Sequence, residues 1–127
     1  MNKTKTILIV DDDFQLRNLL ETTFFQQDLV VLTAPNGIKA QKMLSQVNVD
    51  IIIIDMIMPE ADGIETISII TEKYPRLKII AISGGSVALN ATLLTDMALK
   101  VGAHYAIKKP FNLDEIIQKV AEFLQLD

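Results

Sequence analysis

The strongest constraint on this chain's fold is the run Ile51-Ile52-Ile53-Ile54-Asp55, four branched apolar residues in a row with a carboxylate at the end. A strand with one wet face alternates apolar and polar residues. An unbroken apolar run has to be buried on both faces, as in a parallel sheet covered by helices on either side. Pro59 and the pair Asp62-Gly63 follow with turn chemistry. The acid therefore lands at the carboxyl end of an internal strand, the rim at which open α/β sheets bind ligands.

Four more strand-like runs, Ile7 to Val10, Leu29 to Thr33, Lys78 to Ile82 and Tyr105 to Lys108, alternate with helical patterns. This alternation predicts an α/β fold, a doubly wound five-stranded parallel sheet with five helices. The first helix is expected from about Phe14 to Gln26, buried through Leu16, Leu19, Leu20, Thr23 and Phe24. Pro35-Asn36-Gly37 opens a second over Ile38 to Ser45, buried through Ala40, Met43 and Leu44. Asp62 and Glu65 form a capping-box pattern for a third, which ends near Tyr74-Pro75. A fourth runs from about Val87 to Val101 and stops at Gly102. Asn112 and Glu115 cap the last, with Leu113, Ile116, Ile117, Val120 and Leu124 inward. No linker, repeat or change of composition divides the chain, so residues 1–127 read as a single domain.

Composition removes several classes of chemistry. Without cysteine there is neither a disulfide framework nor a thiolate metal site, and the single His104 cannot build a histidine-rich one. Any metal must sit among oxygen ligands, which selects a hard cation such as Mg2+ or Mn2+. The net charge of −4, with no basic stripe, argues against direct nucleic-acid binding. The amino-terminal apolar run, Ile7 to Val10, is too short for a signal peptide or a spanning helix, so no membrane insertion is expected and the cytoplasm is the default compartment.

The strand ends carry the chemistry. The first strand delivers Asp11, Asp12 and Asp13, the third Asp55, the fourth Ser83, and the fifth runs into Lys109 before Pro110. In a parallel sheet all carboxyl ends share one edge, so these groups converge if their strands are neighbours. Two close carboxylates repel by about 4 kcal/mol at an effective dielectric near 20, which calls for a divalent cation or raised pKa values. Taken singly, each group has an ordinary reading: Asp11 to Asp13 a helix cap, Asp55 a strand-end turn, Ser83 a turn serine, Lys109 a solvated lysine and His104 a surface residue. Their joint order is what points to a site.

The motifs ILIVDDD, IIIIDMIMPEADG, IIAISGG and GAHYAIKKPF, in this order and spacing from Ile7 to Leu126, resemble the receiver domain of bacterial two-component response regulators. The resemblance implies a flavodoxin-like sheet in the order 2-1-3-4-5. It implies that Asp55 is phosphorylated from a phosphohistidine of a histidine kinase or histidine phosphotransfer protein, with no enzymatic turnover beyond Mg2+-dependent self-phosphorylation and autodephosphorylation. By position, Asp12 is the direct Mg2+ ligand together with Asp55 and the backbone carbonyl of Ile57, and Asp11 acts through water. Ser83 is the switch hydroxyl, Lys109 pairs with the phosphoryl group, and the Lys109-Pro110 peptide is cis. One position departs from the family. Its aromatic residue three places before the lysine falls on Ala106, and Tyr105, one place early, belongs on the opposite face of the strand.

In the fourth helix Leu89, Leu93 and Met97 form an apolar stripe beside an inward face of Ala91, Leu94, Ala98 and Val101. The stripe predicts self-association through this helix and strand five, or docking of a downstream protein. The leading expectation is a phosphoacceptor signalling domain, and the alternative is a phosphorylation-independent interaction module. A phosphohydrolase is disfavoured, because Ile57 stands where a second acid would be needed.

Overall fold

The computed structural model describes residues 4–56, 63–84 and 91–125, Ala91 by its backbone alone. Five strands, β1 (Thr6–Val10), β2 (Val30–Ala34), β3 (Ile51–Asp55), β4 (Lys78–Ser83) and β5 (Tyr105–Lys108), alternate with α1 (Phe14–Phe25), α2 (Gly37–Leu44), α3 (Gly63–Lys73), α4 (Ala91–Val101) and α5 (Leu113–Leu124). The strands form one parallel sheet in the order β2-β1-β3-β4-β5. This is the doubly wound, flavodoxin-like arrangement that the sequence implied. Ile57, Met58, Asp62, Gly85, Val87 and Leu89 lie outside the described residues.

All four isoleucines of β3 are buried, at most 1% exposed. Alternate positions along each strand enter different cores. Ile7, Ile9, Ile51, Ile53, Ile80, Ile82 and Ile107 pack with Leu20 and Phe24 of α1 and Ile116, Val120 and Leu124 of α5. Leu8, Val10, Ile52, Ile54, Ile79 and Ala81 pack with Ala40 and Leu44 of α2, Ile67 and Ile70 of α3 and Ala98 of α4. Among the described residues, no helix is long and apolar enough to cross a membrane.

Three local expectations need correction. Leu19, expected in the buried seam of α1, is 49% exposed. Leu20 and Phe24 already fill the contact with the sheet, and the preceding residue lies about 100° around the helix. The second strand begins one residue later than expected, with Leu29 buried just ahead of it. The carboxylate of Glu115, expected in a capping box, instead accepts from the hydroxyl of Tyr105, while Asn112 Oδ1 accepts from the Asp114 amide at 2.9 Å.

Two side chains finish the ladders at the amino edge of the sheet. Asp50 Oδ2 accepts from the Thr6 amide at 2.8 Å, and His104 Nδ1 accepts from the Ile79 amide at 3.0 Å. A histidine accepting there must be neutral, and burial, followed by the charge of Lys78, lowers its pKa from the ordinary 6.5. A depressed histidine pKa means that the unfolded chain takes up the proton first on acidification. Stability conferred by the neutral ring is then complete above pH 6.5 and is lost as pH falls through the lower folded value. In urea titrations from pH 7.5 to 5, His104→Asn, which keeps an acceptor that does not titrate, is expected to lose less stability than the wild type.

Candidate functional site

The register of the sheet builds the site. Val10 is level with Ile54, so the next residues, Asp11 and Asp55, stand side by side at the carboxyl edge. Carboxylate oxygens of Asp11, Asp12 and Asp55 lie within 4.8 Å of one another. Asp11 and Asp55 are buried and Asp12 is exposed. Asp13 is not part of the cluster. Its side chain caps α1, accepting from the amides of Gln15 at 2.9 Å and Leu16 at 3.4 Å.

Lys109 reaches in from the end of β5. Its Nζ lies 3.4 Å from Asp55 Oδ2 and 3.8 Å from Asp11 Oδ2. Its amide donates to the carbonyl of Ser83 at 2.8 Å, and Ser83, at the end of β4, is fully buried. The Lys109-Pro110 peptide is cis. The structure thus brings together the chemical groups that the sequence singled out, Asp11, Asp12, Asp55, Ser83 and Lys109, at one edge. It leaves His104 at the opposite edge, where it has a structural role.

Burial raises the pKa of Asp11 from 3.8 to about 6, opposed by the Asp13 amide and reinforced by Asp55. Its Oδ1 accepts from the Asp13 amide at 2.8 Å, whereas its buried Oδ2 accepts no hydrogen bond. A buried carboxylate oxygen that accepts no hydrogen bond, with Lys109 Nζ no closer than 3.8 Å and two further acids beside it, suits a divalent cation with oxygen ligands. Opposed ligands on Mg2+ stand about 4.2 Å apart, within the span of this cluster. The chemistry available is that of a carboxylate nucleophile beside a fixed ammonium.

Sequence reasoning missed three contributors. The guanidinium of Arg17 donates from Nη1 to the carbonyl of Asp11 at 2.8 Å, and no local motif announces that contact. A Cβ on Gly63 would stand 2.6 Å from the carbonyl oxygen of Asp55, so only glycine lets α3 start this close to the acid. At Gly84 a Cβ would meet Cδ of Lys109 at 3.0 Å. Glycine at this position makes room for the lysine stem.

Comparison with known proteins agrees with this geometry. Residues 7–121 match the model of the response regulator receiver domain. The chain is 35% identical over 113 residues to the chemotaxis protein CheY of Listeria monocytogenes, covering 88% of this chain and 92% of that one. It is 36% identical over 121 residues to a protein-glutamate methylesterase/protein-glutamine glutaminase of Trichodesmium erythraeum, covering 94% of this chain but only 34% of that protein. Among solved structures, the response regulator TrrA of Thermotoga maritima, in complex with Mg2+ and BeF, superposes with a TM-score of 0.78 at 31% identity, covering 94% of this chain and 99% of that one. The beryllofluoride-activated NtrC4 receiver domain dimer gives 0.84 at 27% identity, covering 96% and 98%.

A raised carboxyl pKa means that the folded protein holds a proton which the unfolded chain has released. The Asp11 contribution to stability is present below pH 3.8 and is lost as pH rises through about 6. Asp11→Asn is therefore expected to stabilise the metal-free protein at pH 7 by about 1 kcal/mol. By differential scanning calorimetry, the gain should shrink towards pH 4, and added Mg2+ should raise the Tm of the variant less than that of the wild type.

Proposed function

This chain belongs to the response regulator receiver domain family, and from that membership we propose that Asp55 accepts a phosphoryl group from a phosphohistidine and thereby switches protein–protein contacts. The observation that carries the proposal is the Asp55 carboxylate, buried at the sheet edge with Lys109 Nζ 3.4 Å away. The donor is a histidine kinase or histidine phosphotransfer protein, the setting is cytoplasmic, and residues 1–127 act as one receiver domain.

An Asp55 oxygen forms a bond to phosphorus as the bond between phosphorus and the donor's imidazole nitrogen breaks, and the imidazole leaves. The product is an acyl phosphate on Asp55. Lys109 faces the equatorial oxygens and balances their charge. Mg2+ or Mn2+, when bound, neutralises further charge on the phosphoryl oxygens. Asp12 and Asp55 would hold it directly, together with the Ile57 carbonyl, and Asp11 through water. The Oδ2 of Asp11, buried without a hydrogen bond, supports that role. Ser83, beside Lys109 on the neighbouring strand end, supplies the hydroxyl that meets the phosphoryl group in the switched state.

Ala106 favours a second reading, a receiver-like module whose contacts do not depend on phosphorylation. The ring of Tyr105 packs against the α1 and α5 core, hydrogen-bonded to Glu115 and 4.6 Å below Lys119 Nζ. Ala106 faces the α4 side. The strand therefore has no aromatic ring on the face where the family pattern puts one.

Leu93 and Met97 of α4 are exposed while Leu94 and Ala98 are buried. This supports association of two copies, or docking of an unidentified downstream protein, through α4 and β5.

Incubation with acetyl phosphate and Mg2+ is expected to give a single phosphoryl adduct by intact mass. Asp55→Asn should abolish it, and Lys109→Ala should slow its formation by about 100-fold. No adduct, together with no Mg2+ binding, would instead establish the phosphorylation-independent module. In sedimentation velocity, association should rise with concentration and fall in Leu93→Ser/Met97→Ser; a monomer throughout, with and without BeF, would remove the dimer from the proposal.

A further inference from the structure

Asp11 has four groups that can hydrogen-bond, and three are fixed by neighbours. Its amide donates to the Ala34 carbonyl at 3.2 Å, its Oδ1 accepts from the Asp13 amide at 2.8 Å, and its carbonyl accepts from Arg17 Nη1 at 2.8 Å. Only Oδ2 is left without a hydrogen bond, buried at the cluster with Asp12 and Asp55. The partners in the first two bonds are backbone groups, the Ala34 carbonyl and the Asp13 amide, set by the sheet and the α1 cap. The third depends on one side chain, reaching back from the first turns of α1 to the end of β1. The guanidinium lies 5.5 Å from the centroid of the Phe14 ring, a cation–π contact that restricts where the side chain can go.

We infer that Arg17 is a positioning residue for the candidate cation site: by holding the Asp11 carbonyl, it fixes the loop on which both Asp11 and Asp12 stand. This rests on the metal reading above. The inference makes a claim of sign that bare electrostatics contradicts. Deleting a positive charge beside an acidic cluster should draw a cation in more tightly. Loosening the loop that presents two of its ligands should let the cation go.

Mn2+ binding, measured by the loss of the free-ion paramagnetic resonance signal with no phosphoryl donor present, separates the two effects. Arg17→Met keeps an apolar stem against Phe14 and removes the donors, and Leu16→Ala, a partly buried truncation on the same helix turn, reports the effect of weakened helix packing alone. Thermal melts confirm that each variant is folded at the assay temperature. The expected result is about a tenfold weakening of Mn2+ affinity in Arg17→Met, with Leu16→Ala within about twofold of the wild type. Unchanged or tighter binding in Arg17→Met overturns the positioning role, as does equal weakening in Leu16→Ala. If the wild type takes up no Mn2+ that Asp12→Asn abolishes, the metal reading itself falls, and the role of Arg17 falls with it.

Discussion

Three carboxylates crowded within 4.8 Å repel one another, and the sheet is what keeps them together. At an effective dielectric near 20, a pair at such a distance costs about 3–4 kcal/mol. Burying one isoleucine side chain contributes about 2 kcal/mol, so the four of β3 together are of the same size as the repulsion summed over the three pairs, which Lys109 beside Asp11 and Asp55 partly offsets. The same run creates a difficulty, because a strand of identical residues buried on both faces can slip by one place without exposing anything. Its ends remove that freedom. Asp50 is tied to the Thr6 amide and Asp55 meets Lys109, and a slip in either direction would drive one carboxylate into the core. The acid at the site also defines the register that makes the site.

Much of this was legible in the sequence because it depends on periodicity and order. The five strands, the buried isoleucines, and the gathering of Asp11, Asp12, Asp55, Ser83 and Lys109 follow from runs of apolar residues and from the rule that parallel strands end on one edge. What was not legible depends on reach. Arg17 touches Asp11 through a long side chain that sequence spacing does not encode, and Glu115 turns from its helix amino terminus to Tyr105 because a hydroxyl from another element competes for it. Leu19 was misplaced because helical periodicity gives the direction of a buried stripe but not its width.

Tyr105 and Ala106 show how one register position changes what a strand can transmit. In β5 the ring faces α5, joined to Glu115 and lying under Lys119, while directly behind it the opposite face carries the methyl group of Ala106. Contacts made by Tyr105 couple β5 to α5. Among the described residues, the α4 side of the same strand end carries Ala106 and the exposed Lys108 and no aromatic ring whose rotation could couple it to Ser83.

The division of the interior into two cores has a further consequence, for how substitutions combine. Ile52 and Ile53 are consecutive in the chain, yet one packs against α2, α3 and α4 and the other against α1 and α5. Residues that share no packing partners tend to act independently, whereas those repacking around a common space do not. In this fold, epistasis follows parity: a change at Ile53 answers to changes at Leu20 or Val120, distant in sequence, sooner than to one at its own neighbour. A lineage drifting in sequence can thus remodel the α5 side while the α4 side keeps its packing, with the sheet as the partition between two separately evolving interiors.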